Sequence, residues 1–253
     1  MKLGLKGAKI AIAGASHGLG LGIAQAFHEE EAEVWLTGRT EATLKQASAK
    51  LGSAPFTACD LETDAGRDLF FESVSERWKK LDALILNFGG TQAKVPGFDS
   101  SDEEWLRLFN QNFLTQVALI RRFKTLLKTS EQASIVAISS IAGEMRLPAP
   151  LAYSTSKAAL NHLCGSAVTE LSNLGIRFNV VSPGNILYPS GRWEQRLNER
   201  PDEMKKMLET SVPLKRFGTP EEIASFVVFL ASKKASFCTG SVVRVDGGQS
   251  PVT

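Results

Sequence analysis

Tyr153 and Lys157 stand four residues apart in the stretch Tyr153-Ser154-Thr155-Ser156-Lys157. On a helix this spacing puts both side chains on one face, so an ammonium can lie beside a phenolic oxygen or beside a ligand that covers both. A free phenol has a pKa of about 10, and a nearby cation favours its ionised form. The pair therefore reads as a proton donor and acceptor in which Lys157 lowers the pKa of Tyr153. A half-buried helix with a solvated lysine would carry the same letters. What separates the two readings is whether other elements bring a cofactor and a substrate to this turn.

Two hydroxyls, Ser139 and Ser140, end the apolar run at 133–138, a short loop before Tyr153. Asn112 sits in apolar company within a helical pattern over 102–128, as a satisfied core amide or as part of a site. Near the start, an apolar strand over 8–13 leads into Gly14-Ala15-Ser16-His17-Gly18-Leu19-Gly20, and a helical pattern follows over 20–31. Missing Cβ atoms there let the backbone turn sharply and approach a pyrophosphate at a helix N-terminus. A second strand over 33–37 ends without the acid that would bind a free ribose 2′-hydroxyl; Arg39 follows, and a guanidinium suits a 2′-phosphate. His17 adds to that positive pocket, which favours NADP(H) over NAD(H); a solvated residue opening the next helix is the other reading of Arg39.

These residues need elements to hold them at one edge. Asp60 closes a third strand over 55–60, as a ligand contact or as a helix cap. The nearly all-apolar strand at 82–86 ends in Asn87-Phe88-Gly89-Gly90, small enough for a flat cofactor to pass close to the backbone. Helical patterns cover 65–79, 151–174 and 221–231, the last with Thr219 as N-cap and Pro220 at its first position. A strand over 176–181 stops at Ser182-Pro183-Gly184, and a seventh covers 241–246. Between them, the charged segment 185–213 with Tyr188, Arg192, Trp193, Arg196 and Arg200 fits a lid over a pocket. The alternation predicts one domain over 1–253: an α/β, doubly wound Rossmann-type parallel sheet of seven strands with helices on both faces.

Bulk properties narrow the partners. Of 253 residues, 43% are hydrophobic and 22% charged, and a net charge of +2 with interspersed signs offers no basic stripe for nucleic acid. Cys59, Cys164 and Cys238 are odd in number and lack ligand-spaced companions, which argues against a disulfide framework and a metal site and for a reducing, cytoplasmic setting. No apolar run approaches the ~20 residues that span a bilayer, and Met1-Lys2-Leu3-Gly4 leads into a strand-like segment rather than a signal-peptide core. The expected partner is a small molecule, not nucleic acid or membrane.

Taken in order, Gly14 to Gly20, Asp60, the Asn87 turn, Asn112, Ser140, Tyr153, Lys157, Pro183-Gly184 and Asp246-Gly247-Gly248 resemble the short-chain dehydrogenase/reductase family in its compact form. The resemblance implies NADP(H)-dependent hydride transfer between the nicotinamide and a carbonyl or secondary alcohol, in the manner of a 3-oxoacyl-thioester, sugar or small-ketone reductase. A catalytically silent NADP(H)-binding sensor of the same fold is the alternative. It implies catalytic roles for Asn112, Ser140, Tyr153 and Lys157, with Asn112 holding a water that relays protons from Lys157. Gly14, Ser16, His17, Gly18, Leu19 and Gly20 would cradle the pyrophosphate side, Asp60 and Leu61 would face the adenine, and Asn87 and Gly89 would flank the adenine-side ribose. Pro183, Gly184 and the backbone of Ile186 would meet the nicotinamide. The family's dimers and tetramers imply self-association here too. Three departures stand out: Ala13 where a Thr usually supports the glycine loop, Phe88-Gly89-Gly90 for the usual Asn-Ala-Gly, and Tyr188 where a Thr commonly bonds the carboxamide.

Overall fold

Short aliphatic runs build the sheet: β1 (Lys9–Ala13), β2 (Glu33–Gly38), β3 (Phe56–Ala58), β4 (Ala83–Leu86), β5 (Ser134–Ile138), β6 (Arg177–Pro183) and β7 (Val242–Val245). The computed structural model describes residues 2–91 and 97–250. Its seven strands pair in parallel in the order β3-β2-β1-β4-β5-β6-β7. The chain winds outward from β1 to β3, then returns to lay β4 on the other side of β1. Where winding reverses, the connections leave β1 and β4 in opposite directions and a crevice opens at the strands' carboxyl ends.

The helices are α1 (Gly18–Glu29), α2 (Glu41–Lys50), α3 (Asp64–Arg77), α4 (Asp102–Phe109), α5 (Thr115–Leu127), α6 (Leu151–Ser166), α7 (Val168–Ser172), α8 (Arg192–Glu199), α9 (Pro201–Ser211) and α10 (Pro220–Ala231). They cover both sheet faces, and β1 shows how: Ile10 and Ile12 pack with Ile23 and Phe27 of α1 and Val227 of α10. Ala11 and Ala13 face Phe70 of α3, Phe123 of α5 and Leu160 of α6. Alternate residues thus feed two cores, as the two-residue period of a strand requires.

Several boundaries differ from the sequence expectation. The helix after the glycine loop begins at Gly18, two residues early, and α6 breaks at Ala167 before α7. The expected continuous helix over 102–128 is interrupted by a π turn, Asn110–Leu114. Two amides occupy carbonyls around this widened turn: Asn112 Nδ2 donates to Leu108 O and Gln116 Nε2 donates to Asn112 O, at 3.0 and 3.1 Å. The segment 185–213 folds into α8 and α9. At α10 the expected cap is present as a full capping box, Thr219 with Glu222.

Candidate active site

Tyr153 lies in the first turn of α6, and Lys157 follows one turn later against the end of β5. Lys157 Nζ donates to Ile138 O at 2.8 Å, while Ser139 Oγ donates to Lys157 O at 3.3 Å. The loop after β5 lies so close to α6 that a Cβ on Gly143 would stand 2.7 Å from Lys157 C. Glycine at 143 is therefore part of how Ser140 reaches Tyr153. The Ser140 hydroxyl accepts from Ala142 N at 3.1 Å and lines the same cavity as Tyr153.

The electrostatics correct one expectation. Tyr153 is pushed above the usual phenol value, chiefly by burial; the Ser140 hydroxyl and the charge of Arg192 act to lower it, and Tyr188 acts to raise it. Lys157 is pushed down to about 7 by burial. With Nζ on the Ile138 carbonyl and 5.9 Å from the centre of the Tyr153 ring, the ammonium does not lower the phenol as the spacing predicted. Desolvation outweighs an attraction that this geometry weakens.

Asn112 holds the turn after β4 beside Lys157. Its Oδ1 accepts from Gly90 N and its Nδ2 donates to Gly90 O, both at 3.0 Å. A Cβ on Gly89 would lie 2.6 Å from Asn112 Oδ1 and 3.3 Å from Lys157 Nζ, so only a bare backbone fits between them. Both Nδ2 hydrogens are engaged, and one Oδ1 lone pair is left for a water.

The glycine loop is equally tight. A Cβ on Gly20 would fall 1.9 Å from Gly14 O and 2.6 Å from Asn87 Nδ2, which itself donates to Gly14 O at 2.7 Å. The support missing at Ala13 comes from Thr37 on β2, whose Oγ1 accepts from Gly14 N at 3.2 Å and whose carbonyl accepts from Ala15 N at 2.8 Å. Residue-by-residue matching passes over Thr37; a buried hydroxyl in an otherwise apolar strand is the signal that marks it. Tyr188 packs its ring against Gly18 and Gly191, where a Cβ on either would meet Tyr188 Cε2 at 2.7 Å.

These parts surround one cavity of about 580 Å³ at the strands' carboxyl ends. Of the residues expected from sequence to have catalytic or cofactor-binding roles, all but Gly18, Asp60 and Asn112 line it. Gly18 is covered by Tyr188. Asp60 lies beyond the short β3 and its Oδ1 accepts from Glu62 N at 3.0 Å; its neighbours Cys59 and Leu61 form the wall instead. Ser16, His17 and Arg39 line it where α1 begins and β2 ends. The Ile186–Gly218 bridge uses the N–H of Leu187 and the carbonyl of Asn185, so Ile186 keeps its own backbone N–H and carbonyl free of protein partners among the described residues. Gly184 crosses β7 closely, with a Cβ there 2.8 Å from Asp246 Cα. A Cβ-free cradle, an uncommitted backbone edge and a basic corner fit a dinucleotide laid across the crevice.

From the segment 185–213, Tyr188, Arg192, Trp193, Arg196, Glu203, Met204, Met207 and Ser211 reach the cavity, whereas Arg200 does not. Cys59 and Cys164 are buried, and burial pushes their thiols up to about 11 and about 12, so they are inert at neutral pH. Among the described residues no helix is long and apolar enough to cross a membrane, and no cluster of three metal-ligating side chains occurs.

The chain is similar over almost its full length to known proteins. Isoepoxydon dehydrogenase of Penicillium expansum is 34% identical, with 97% of this chain and 95% of the relative covered. Galactitol 2-dehydrogenase of Rhizobium johnstonii is 33% identical, with 98% and 96% covered. The crystal structure of L-sorbose reductase from Gluconobacter frateurii, complexed with NADPH and L-sorbose, superposes with a TM-score of 0.93 at 29% identity, covering all of both chains. A family model described as enoyl-(acyl carrier protein) reductase matches residues 14–250, and the chain belongs to the short-chain dehydrogenase/reductase family.

Proposed function

We propose that this chain is an NADP(H)-dependent oxidoreductase that interconverts a carbonyl and a secondary alcohol of a small molecule. The observation that carries this reading is the opening of Ser140, Tyr153 and Lys157 into the same cavity as the glycine cradle. When bound, the dihydronicotinamide supplies hydride to a carbonyl carbon. The protein's task is then to meet the negative charge that grows on the carbonyl oxygen.

Tyr153 performs that task as a protonated phenol. Its raised pKa keeps the proton in place until an oxyanion develops within reach. The Ser140 hydroxyl, on the same cavity wall, bonds the same oxygen and fixes its position. Lys157 has one N–H on Ile138 O and two left for ribose hydroxyls and for returning a proton to Tyr153. Asn112 holds the Gly89-Gly90 backbone beside Lys157 and offers Oδ1 to the water that connects the relay to solvent. In the oxidative direction the same groups run in reverse, with Tyr153 as base.

Arg39, His17 and Ser16 form the corner that receives a 2′-phosphate, at a strand end that presents no carboxylate. NADPH in the similar L-sorbose reductase accords with that assignment. The test is NADPH consumption followed spectroscopically against a panel of keto-sugars, cyclic ketones and 3-oxoacyl thioesters. Consumption with at least one class is expected; tight NADPH binding without turnover of any class would contradict the reading.

A further inference from the structure

Two arginines enter the cavity from the lid without a carboxylate to meet them. Arg192 opens α8 and Arg196 follows one turn later, so both lie on one helix side, and both line the cavity. Arg192 Nη1 donates to Thr91 Oγ1 at 3.0 Å, a neutral acceptor across the cavity mouth. The Arg196 guanidinium lies 5.3 Å from the centre of the Trp193 ring. Among the described residues neither makes an ion pair.

Nearby acids are engaged elsewhere. Glu194 turns back to accept from Ser190 N at 2.7 Å. Glu203, the acidic residue of the cavity wall, takes Arg200 at 3.5 Å. Farther along, Glu222 takes Arg216 at 2.6 Å. Like charges one helical turn apart are unfavourable, and here Arg196 is half-buried while Arg192 stands exposed at the cavity mouth. Arg192 is held below the usual guanidinium value by burial and by Arg196, while its charge in turn lowers the Tyr153 phenol. Arg192 and Tyr153 line the same cavity, so an anion held by the one and a carbonyl met by the other can belong to one small molecule.

We propose that Arg192, backed by Arg196, binds an anionic group of the substrate, a carboxylate or phosphate a few bonds from the reacting carbonyl. The proposal rests on the oxidoreductase reading above and names its substrate class: oxo-acids, acidic keto-sugars or phosphorylated ketones. A guanidinium fork matches either anion with two parallel hydrogen bonds, which an ammonium cannot reproduce. Binding the anion exchanges Thr91 for a charged acceptor and relieves the repulsion between the two arginines. Since Arg192 belongs to α8 and Thr91 follows β4, the same exchange ties lid position to substrate charge.

The test pairs anionic and neutral probes that otherwise match. Oxo-acids with the carbonyl at carbon 2, 3 or 4 are set against their amides, and dihydroxyacetone phosphate against dihydroxyacetone, with wild type, Arg192→Gln and Arg192→Lys. Wild type is expected to favour one anionic probe by about 10- to 100-fold in kcat/KM, the span of a charge-assisted hydrogen bond. Arg192→Gln should collapse that anionic-to-neutral ratio, mainly through KM, and Arg192→Lys should restore part of it. The oxo-acid and phosphate arms show which anion is bound. Neutral probes turned over as well as anionic ones, or a ratio unmoved by Arg192→Gln, would overturn the proposal and leave the oxidoreductase reading intact. If no probe turns over, calorimetry of the protein–NADP⁺ complex with the same oxo-acids decides independently: binding lost in Arg192→Gln supports the anion site, and no binding by wild type overturns it.

Discussion

Burial acts on Tyr153 and Lys157 so that both favour their neutral forms, the phenol raised and the ammonium lowered to about 7. For Lys157 the sign of the stability effect follows directly. Above pH 7 the folded chain has released a proton that the unfolded chain keeps up to its ordinary value of 10.5, so stability rises with pH across that window. Lys157→Met should remove the rise. Denaturant unfolding of cofactor-free protein between pH about 7 and about 10 is expected to show wild type gaining on the variant by up to ~1.4 kcal/mol per pH unit. A constant difference would mean that the ammonium is solvated in the folded chain. At the other end of the cavity, Arg39→Ala is expected to weaken NADPH by about 10- to 100-fold, the worth of one charge-assisted contact, and NADH by less than about threefold. Equal losses measured by fluorescence titration would remove the 2′-phosphate role. That Tyr153 and Lys157 share a helix face was legible from their spacing, and Ser140 was singled out over Ser139 through the family resemblance; all three line one cavity. Thr37 and Thr91 were not legible: their partners Gly14 and Arg192 lie 23 and 101 residues away, and only the folded sheet brings them together.

Among the elements, α1 and α10 show why local pattern was informative yet incomplete. Both were readable from apolar spacing, and the α10 start from Thr219-Pro220. Their closeness was not readable: a Cβ on Gly22 would stand 2.7 Å from Pro220 Cβ. Glycine inside a helix ordinarily costs about 0.5–1 kcal/mol relative to alanine. Here Gly22→Ala is expected to destabilise by ~1–3 kcal/mol, as overpacking does, and the shift in the unfolding midpoint checks the sign. A stabilised variant would show that the two helices separate at little cost. The π turn at Asn110–Leu114 was likewise hidden, because the apolar spacing over 102–128 runs through it without a break. It arises from tertiary demand, since Asn112 must reach Gly90 and Leu108 at once. The segment 185–213 read as weak pattern because α8 and α9 bury few side chains, none in α8 and Met204 alone in α9.

At the scale of the molecule, strand-helix alternation was enough to fix a doubly wound parallel sheet, and the observed order β3-β2-β1-β4-β5-β6-β7 puts its crevice where β1 and β4 part. That crevice gathers the glycine loop, the Asn87 turn, Ser140 and the α6 pair from segments spread along the whole chain into one cavity. The substrate was not legible, because the side chains of α8 that line the cavity take their direction from how that helix packs over the crevice. The most direct test of the central claim is a single-turnover measurement with NADPH deuterated at both nicotinamide C4 positions, in wild type and Tyr153→Phe. One deuterium on the carbinol carbon of the product alcohol is expected, with its appearance slowed ~10²-fold or more in Tyr153→Phe. Tight NADPH binding with no deuterium delivered to any ketone, or delivery by Tyr153→Phe at the wild-type rate, would contradict it.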